Sequence, residues 1–314
     1  MFFTNKFNFR GRKYFKKVFI FDIDPLYFYQ QDTDLKILLE AMKAVSRYQN
    51  LLLVGKCWFQ LFDSIRELIN PNGRISIVSG SGSCYFDFLR KKISFFNFIN
   101  RRFVDFITHL ATSTTSGIIV QGTNDDQQNT TNEENLITVS YFLNYLHAKE
   151  IKNKWKIKSN FGYDYSSFQN SIAKMNVSEI YFFENNFLTP LTSYFNYQRN
   201  VDFINTFFDS STIRAELVSK FEQDAFAFTT NKNCIYDRIL DFLEVNSITL
   251  DDVYYIATSS YDETCIKNFP NVILPSNMIE KIQKKPVFVY GVDDLSGLGA
   301  FLFENSTFWR ITNI

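Results

Sequence analysis

Four consecutive apolar residues, Val18-Phe19-Ile20-Phe21, run straight into Asp22-Ile23-Asp24-Pro25. A strand with one wet face alternates apolar and polar residues, whereas a short unbroken apolar run reads as a strand buried on both faces, as in a parallel sheet. Such a strand needs helical cover on both sides, reached through crossover connections. The sequence supplies that cover. From Asp34 to Tyr48 the residues Leu35, Ile37, Leu38, Leu39, Met42 and Val45 fall mostly on one helical face. Leu51 to Val54 is a second apolar run, followed by a helix-like stretch from Phe59 to Ile69 and the turn chemistry of Pro71-Asn72-Gly73.

Arg74 to Val78 reads as the next strand, closed by Ser79-Gly80-Ser81-Gly82-Ser83, and a helix is expected through Tyr85, Phe88, Leu89 and Ile93. Phe103 to Thr108 and Gly117 to Val120 read as further strand pieces. From Gly122 to Glu134 the chain is polar, with no large apolar residue, which marks entry to an inserted region. The α/β order returns with a helix at Ile235 to Leu243 and strands at Val253 to Ile256, Val272 to Leu274 and Val287 to Tyr290. The expected organisation is a Rossmann-like parallel sheet formed by residues 1–122 and 225–314, with an α+β cap domain inserted at 123–224.

Composition narrows the function. Hydrophobic residues make up 46% of the 314, enough for a large core, and 33 basic residues balance 33 acidic ones. That balance argues against a general nucleic-acid binder, which carries a basic excess. The cysteines Cys57, Cys84, Cys234 and Cys265 form no C-x-x-C pair, and two histidines cannot complete a zinc set. Buried free thiols suit the cytoplasm or another reducing compartment. No stretch approaches the ~20 apolar residues of a transmembrane helix, and the basic, aromatic start lacks the apolar core of a classical signal peptide. Lysines 149, 152, 154, 156 and 158 surround Trp155; a solvated face with one anchoring Trp is the expectation, and a membrane-surface or protein partner has no other support.

Several groups fall where α/β folds place chemistry, beyond the carboxyl ends of strands. Asp22 and Asp24 are carboxylates at i and i+2 just past the first strand. Ser79 and Gly80 follow another strand, where a hydroxyl and backbone N–H groups suit a phosphoryl oxygen. Lys232 stands at a helix entrance, against the dipole unless an anion lies near. Asp262 follows the strand Val253–Ile256 by a short loop.

This order of acid pair, hydroxyl, insertion, lysine and acid resembles the haloacid dehalogenase-like hydrolase superfamily, most closely its Cof-like and sucrose-phosphatase-like branch with a large cap. Val18 to Asp24 resembles the first motif, Ile75 to Gly80 the second, Lys232 to Ile239 the third and Ile256 to Asp262 the fourth. The resemblance implies a phosphatase acting on a small phosphorylated metabolite such as a sugar phosphate. Asp22 would be the nucleophile that forms an aspartyl phosphate, and Asp24 the general acid and base. Ser79, Gly80 and Lys232 would hold the phosphate, and Asp22, Asp24 and Asp262 would hold Mg²⁺.

The sequence departs from the family pattern at Pro25, at Ser81 (where Arg is usual), at Ala257-Thr258 (where Gly-Asp is usual) and at Tyr261 (where Asn is usual). The missing acid at Thr258 is the family's metal ligand. These departures open a second reading: an inactive relative that keeps the fold as a binding or interaction module, such as a secreted effector.

Overall fold

The computed structural model describes residues 17–29, 33–113, 116–124, 130–132, 136–157, 161–183, 212–218, 225–257, 262–276, 279, 288–292 and 295–305. Residues 1–16 of the basic start, Lys158, Thr258, Tyr261 and Val287 lie outside the described residues.

The apolar run Val18–Phe21 forms strand β1 (Val18–Asp22), and its four apolar residues are fully buried. It pairs in parallel with β2 (Asn50–Val54) on one side and β12 (Val253–Ala257) on the other. β3 (Ile75–Ser79) continues the sheet beyond β2, while β13 (Asn271–Pro275) and β14 (Phe288–Val292) continue it beyond β12, all in parallel. The antiparallel strands β4 (Cys84–Asp87), β5 (Lys92–Phe95) and β7 (Thr130–Asn132) complete one edge of a nine-stranded sheet, with β1 near its middle.

Alternate residues of β1 feed two cores, as the period of two requires. Phe19 and Phe21 pack with residues of α1 (Thr33–Ser46), α2 (Phe59–Ile69) and α8 (Leu295–Asn305). Val18 and Ile20 pack with Ile235, Ile239 and Phe242 of α6 (Ile235–Val245) and with Cys265 and Ile266 of α7 (Glu263–Asn268). The fold class read from the apolar runs is therefore the one observed: an α/β molecule with a parallel-rich central sheet.

A second sheet, wholly antiparallel, has the order β10-β11-β9-β6-β8. Its strands are β6 (Gly117–Thr123), β8 (Ile137–Tyr141), β9 (Asn176–Phe183), β10 (Ile213–Leu217) and β11 (Ala225–Thr230). The sheet thus spans more chain than the 123–224 expected, because β6 begins at Gly117, before that range, and β11 follows it from Ala225. The polar stretch taken as the entry to the insertion contains β7, which returns to the first sheet and pairs with β5.

Two local expectations are corrected. Residues 85–93 form the β4–β5 hairpin rather than a helix: Phe86, Ile93 and Phe95 share a buried face, and Lys91 turns the chain at φ +53°. Phe103–Thr108 is helical, inside α3 (Arg101–Ser113), because Phe103, Val104, Ile107 and Ala111 recur at three- and four-residue spacing and meet the second sheet on one face.

The two sheets share one apolar cluster. Trp58, at the start of α2, packs against Trp155, Tyr181 and Phe183, with ring centroids 5.5, 5.1 and 5.9 Å away. Trp155 caps the C-terminus of α4 (Tyr145–Lys154) and is fully buried, while Lys149 on the same helix is exposed. Truncating a buried Trp of this kind costs about 3–5 kcal/mol. Trp58→Ala is expected to lower the unfolding free energy by that amount in denaturant titrations and Trp58→Phe by much less; a loss below about 1 kcal/mol in the alanine variant would place the joint between the sheets elsewhere.

Candidate active site

Asp22 ends β1 opposite Ala257 of β12 and Val54 of β2, so it stands at the centre of the carboxyl rim of the sheet. Burial raises its pKa to about 7, because a charged carboxylate loses water there. Three contacts work the other way: the Tyr255 hydroxyl donates to Asp22 Oδ2, the Asp262 backbone N–H donates to the same oxygen at 2.9 Å, and the charge of Lys56 favours the ionised form. The Asp262 carboxylate opposes them by like charge. Asp24 is also buried, and its Oδ1 accepts the backbone N–H of Leu26 at 3.1 Å, fixing the turn of 3₁₀ helix at Pro25–Tyr29.

The cation near Asp22 is one the sequence reading did not single out. Lys56 follows β2, the strand directly beside β1, through Gly55. The signal was available: an apolar strand, Leu51–Val54, followed at once by Gly-Lys. The Gly55–Trp58 turn is laced to the loop after β3, with Gly80 N–H donating to the Cys57 carbonyl (2.9 Å) and Ser81 N–H to the Gly55 carbonyl (3.1 Å). Gly80 and Gly82 make that lacing possible at φ +55° and +97°; a Cβ on Gly80 would meet Glu179 Oε1 at 2.2 Å, and one on Gly82 the Cys234 backbone at 2.6 Å.

The other expected residues fall at varying distance from this centre. Ser79 is buried at the end of β3, two strands from β1, a lateral offset of roughly 10 Å by ordinary strand spacing. Lys232 is exposed in the turn between β11 and α6, where its carbonyl accepts from Asn97 Nδ2 at 3.4 Å. Asp262 lies beside Asp22, but its carboxylate caps α7, accepting the N–H groups of Thr264 (2.8 Å) and Cys265 (3.2 Å).

The donor set is only part of the Mg²⁺ site that the family resemblance implies. One oxygen of Asp22 is taken by Tyr255 and the Asp262 N–H, and Asp262 Oδ1 accepts from its own helix. Among the described residues no group of three or more His, Cys, Asp and Glu side chains is placed to hold a metal ion.

The second sheet closes over the rim with polar groups. Glu179 of β9 is fully enclosed, and accepts from the hydroxyls of Ser83 and Tyr181; burial raises its pKa to about 7. Glu216 of β10 accepts from the Ser81 hydroxyl and lies 3.6 Å from Lys56 Nζ and 3.5 Å from Arg214 Nε. Arg214 also donates to the carbonyls of Ser81 (3.3 Å) and Asn233 (3.1 Å).

No protein-family profile matches the sequence. An uncharacterized protein of Mycoplasma pneumoniae is 23% identical over 255 residues, covering 81% of this chain and 86% of that protein. An uncharacterized protein of Mycoplasma genitalium is 22% identical over 262 residues, covering 83% and 89%. Among solved structures, a haloacid dehalogenase-like hydrolase from Bacteroides thetaiotaomicron aligns with a TM-score of 0.66 at 13% identity, over 92% of this chain and 98% of that one. A phosphatase of the same superfamily and organism aligns at 0.59 and 12% identity, over 96% and 99%. A subclass IIB sugar phosphatase of the superfamily aligns at 0.58 and 12% identity, over 92% and 98%. The chain therefore has the haloacid dehalogenase-like hydrolase fold over nearly its whole length.

The two buried carboxyls give stability a defined pH dependence. Asp22 and Glu179 have folded pKa values of about 7, above their ordinary 3.8 and 4.5, so the folded state binds more protons than the unfolded one between those limits. The stabilisation is present in full below about pH 4 and is lost as pH rises through about 7. Glu179→Gln keeps the shape of the neutral acid and is expected to remove about 3 kcal/mol of that decline between pH 4.5 and 7.5. An unchanged slope in denaturant titrations of the variant would contradict a neutral Glu179 in the fold.

Proposed function

We propose that this chain is a phosphoric monoester hydrolase for a small phosphorylated metabolite, with Asp22 as the nucleophile and Asp24 as the general acid and base. The observation that carries the reading is the pair of buried carboxyls at the carboxyl end of the central strand, with the charge of Lys56 acting on Asp22. An oxygen of ionised Asp22 attacks phosphorus, the bond from phosphorus to the ester oxygen breaks, and Asp24 gives that oxygen its proton. Water then attacks the aspartyl phosphate at phosphorus, Asp24 takes the water's proton, and the bond to Asp22 breaks. Tyr255 and the Asp262 N–H hold Oδ2, which leaves Oδ1 as the attacking atom.

Lys56 takes the charge-offsetting part that the family resemblance implies for Lys232, and the N–H groups of Gly80 and Ser81 hold the Gly55–Cys57 turn in place. A sugar phosphatase among the structural neighbours supports a sugar phosphate as the first substrate to try. The reading of an inactive binding relative has an observation in its favour too, the use of the Asp262 carboxylate as a helix cap.

Phosphate release from an aryl phosphate, assayed with Mg²⁺ present, separates the two readings. Asp22→Asn is expected to lower kcat by about a thousandfold or more, and Asp24→Asn by about 10²–10⁴. Because Asp22 must be ionised to attack and its pKa is about 7, the wild-type rate should rise with pH up to about that value. Turnover that survives Asp22→Asn removes the nucleophile assignment; no turnover in the wild type favours the binding relative.

A further inference from the structure

Lys56 has an anionic neighbour other than Asp22. We propose that Glu216 competes with the substrate's phosphate for Lys56, so that a carboxylate carried by the second sheet must release this ammonium before a phosphoryl group can use it. The inference rests on the reading above that Lys56 offsets phosphate charge.

The geometry favours a contact that forms and breaks. Glu216 is held independently of Lys56: Oε2 accepts from the Ser81 hydroxyl, and Oε1 lies 3.5 Å from Arg214 Nε on the same strand face. Arg214 is in turn anchored to the Ser81 and Asn233 carbonyls. Lys56 stands 3.6 Å away, beyond the 2.7–2.9 Å of a charge-assisted hydrogen bond, and unlike Arg214, which is tied to the loop carbonyls, it is a flexible chain end, so its contact with Glu216 is a loose one. Losing it leaves Glu216 with Ser81 and Arg214, so no buried charge is stranded. Both side chains are partly screened, at 33% exposure for Lys56 and 19% for Glu216, so their attraction exceeds that of a fully wet pair without becoming permanent. A phosphate dianion beside Asp22 would draw the same ammonium and would meet repulsion from the Glu216 carboxylate.

Titration calorimetry with inorganic phosphate tests this without turnover. Glu216→Gln keeps an oxygen for the Ser81 hydroxyl but removes the charge, and is expected to bind phosphate roughly three- to tenfold tighter than the wild type. In a Lys56→Gln background the same substitution should bring no gain, because the coupling runs through that ammonium. Should Glu216→Gln fail to fold, Glu216→Asp withdraws the carboxylate by one methylene and should also tighten binding. Equal or weaker phosphate binding in a folded Glu216 variant overturns the inference, as does a gain that persists without Lys56 or an absence of phosphate binding in all the proteins. The hydrolase reading fails separately, through turnover that ignores Asp22→Asn.

Discussion

Asp22 is a carboxyl group almost without water, fixed where the apolar run of β1 ends. Desolvation alone would make it a neutral acid, and the surrounding residues are arranged around that cost. Tyr255 reaches up from the adjoining strand, Asp262 turns its N–H inward, and Lys56 brings a positive charge from the strand on the other side. Tyr255 is placed by parallel pairing with β1, and Lys56 and Asp262 lie just beyond the ends of the two strands that pair with it. A pKa near neutrality leaves the group able to exist in either form under ordinary conditions.

The second sheet takes part in the same arrangement. Trp58 and its aromatic neighbours join the sheets by area, while Glu179, Arg214 and Glu216 join them by specific polar contacts to the loop Gly80–Ser83. That loop is also laced to the turn carrying Lys56. The second sheet and the turn that carries Lys56 are therefore joined through the same short loop. Carboxylates that sit between two packed layers serve as adjustable joints, since each must either find donors or take up a proton.

Much of the first sheet was legible because short, largely apolar runs bounded by turn residues admit few alternatives: β1, β2, β3 and β12 stand where Val18–Phe21, Leu51–Val54, Arg74–Val78 and Val253–Ile256 predicted them. The hairpin at 84–95 was not, because Tyr85, Phe88, Leu89 and Ile93 also satisfy a helical spacing and only pairing with β3 selects the strand period. Asp22 and Asp24 could be picked out by their position after a buried strand. Lys56 was passed over although Leu51–Val54 runs straight into Gly-Lys, because neighbouring strands in the sheet need not be the ones whose loops look rich in small residues. The Ser79–Ser83 loop drew notice by composition, while the turn beside Asp22 was a plain Gly-Lys. Glu179 and Glu216 come from the other sheet, and their partners lie 96 and 135 residues away in the chain.

The proposed hydrolysis requires a covalent bond between Asp22 and phosphorus. Quenching the protein with borohydride during turnover of an aryl phosphate would reduce an aspartyl phosphate to homoserine, which peptide mass spectrometry can locate. Homoserine at position 22, dependent on substrate, is the predicted result. Phosphate release with residue 22 recovered only as aspartate would contradict the account.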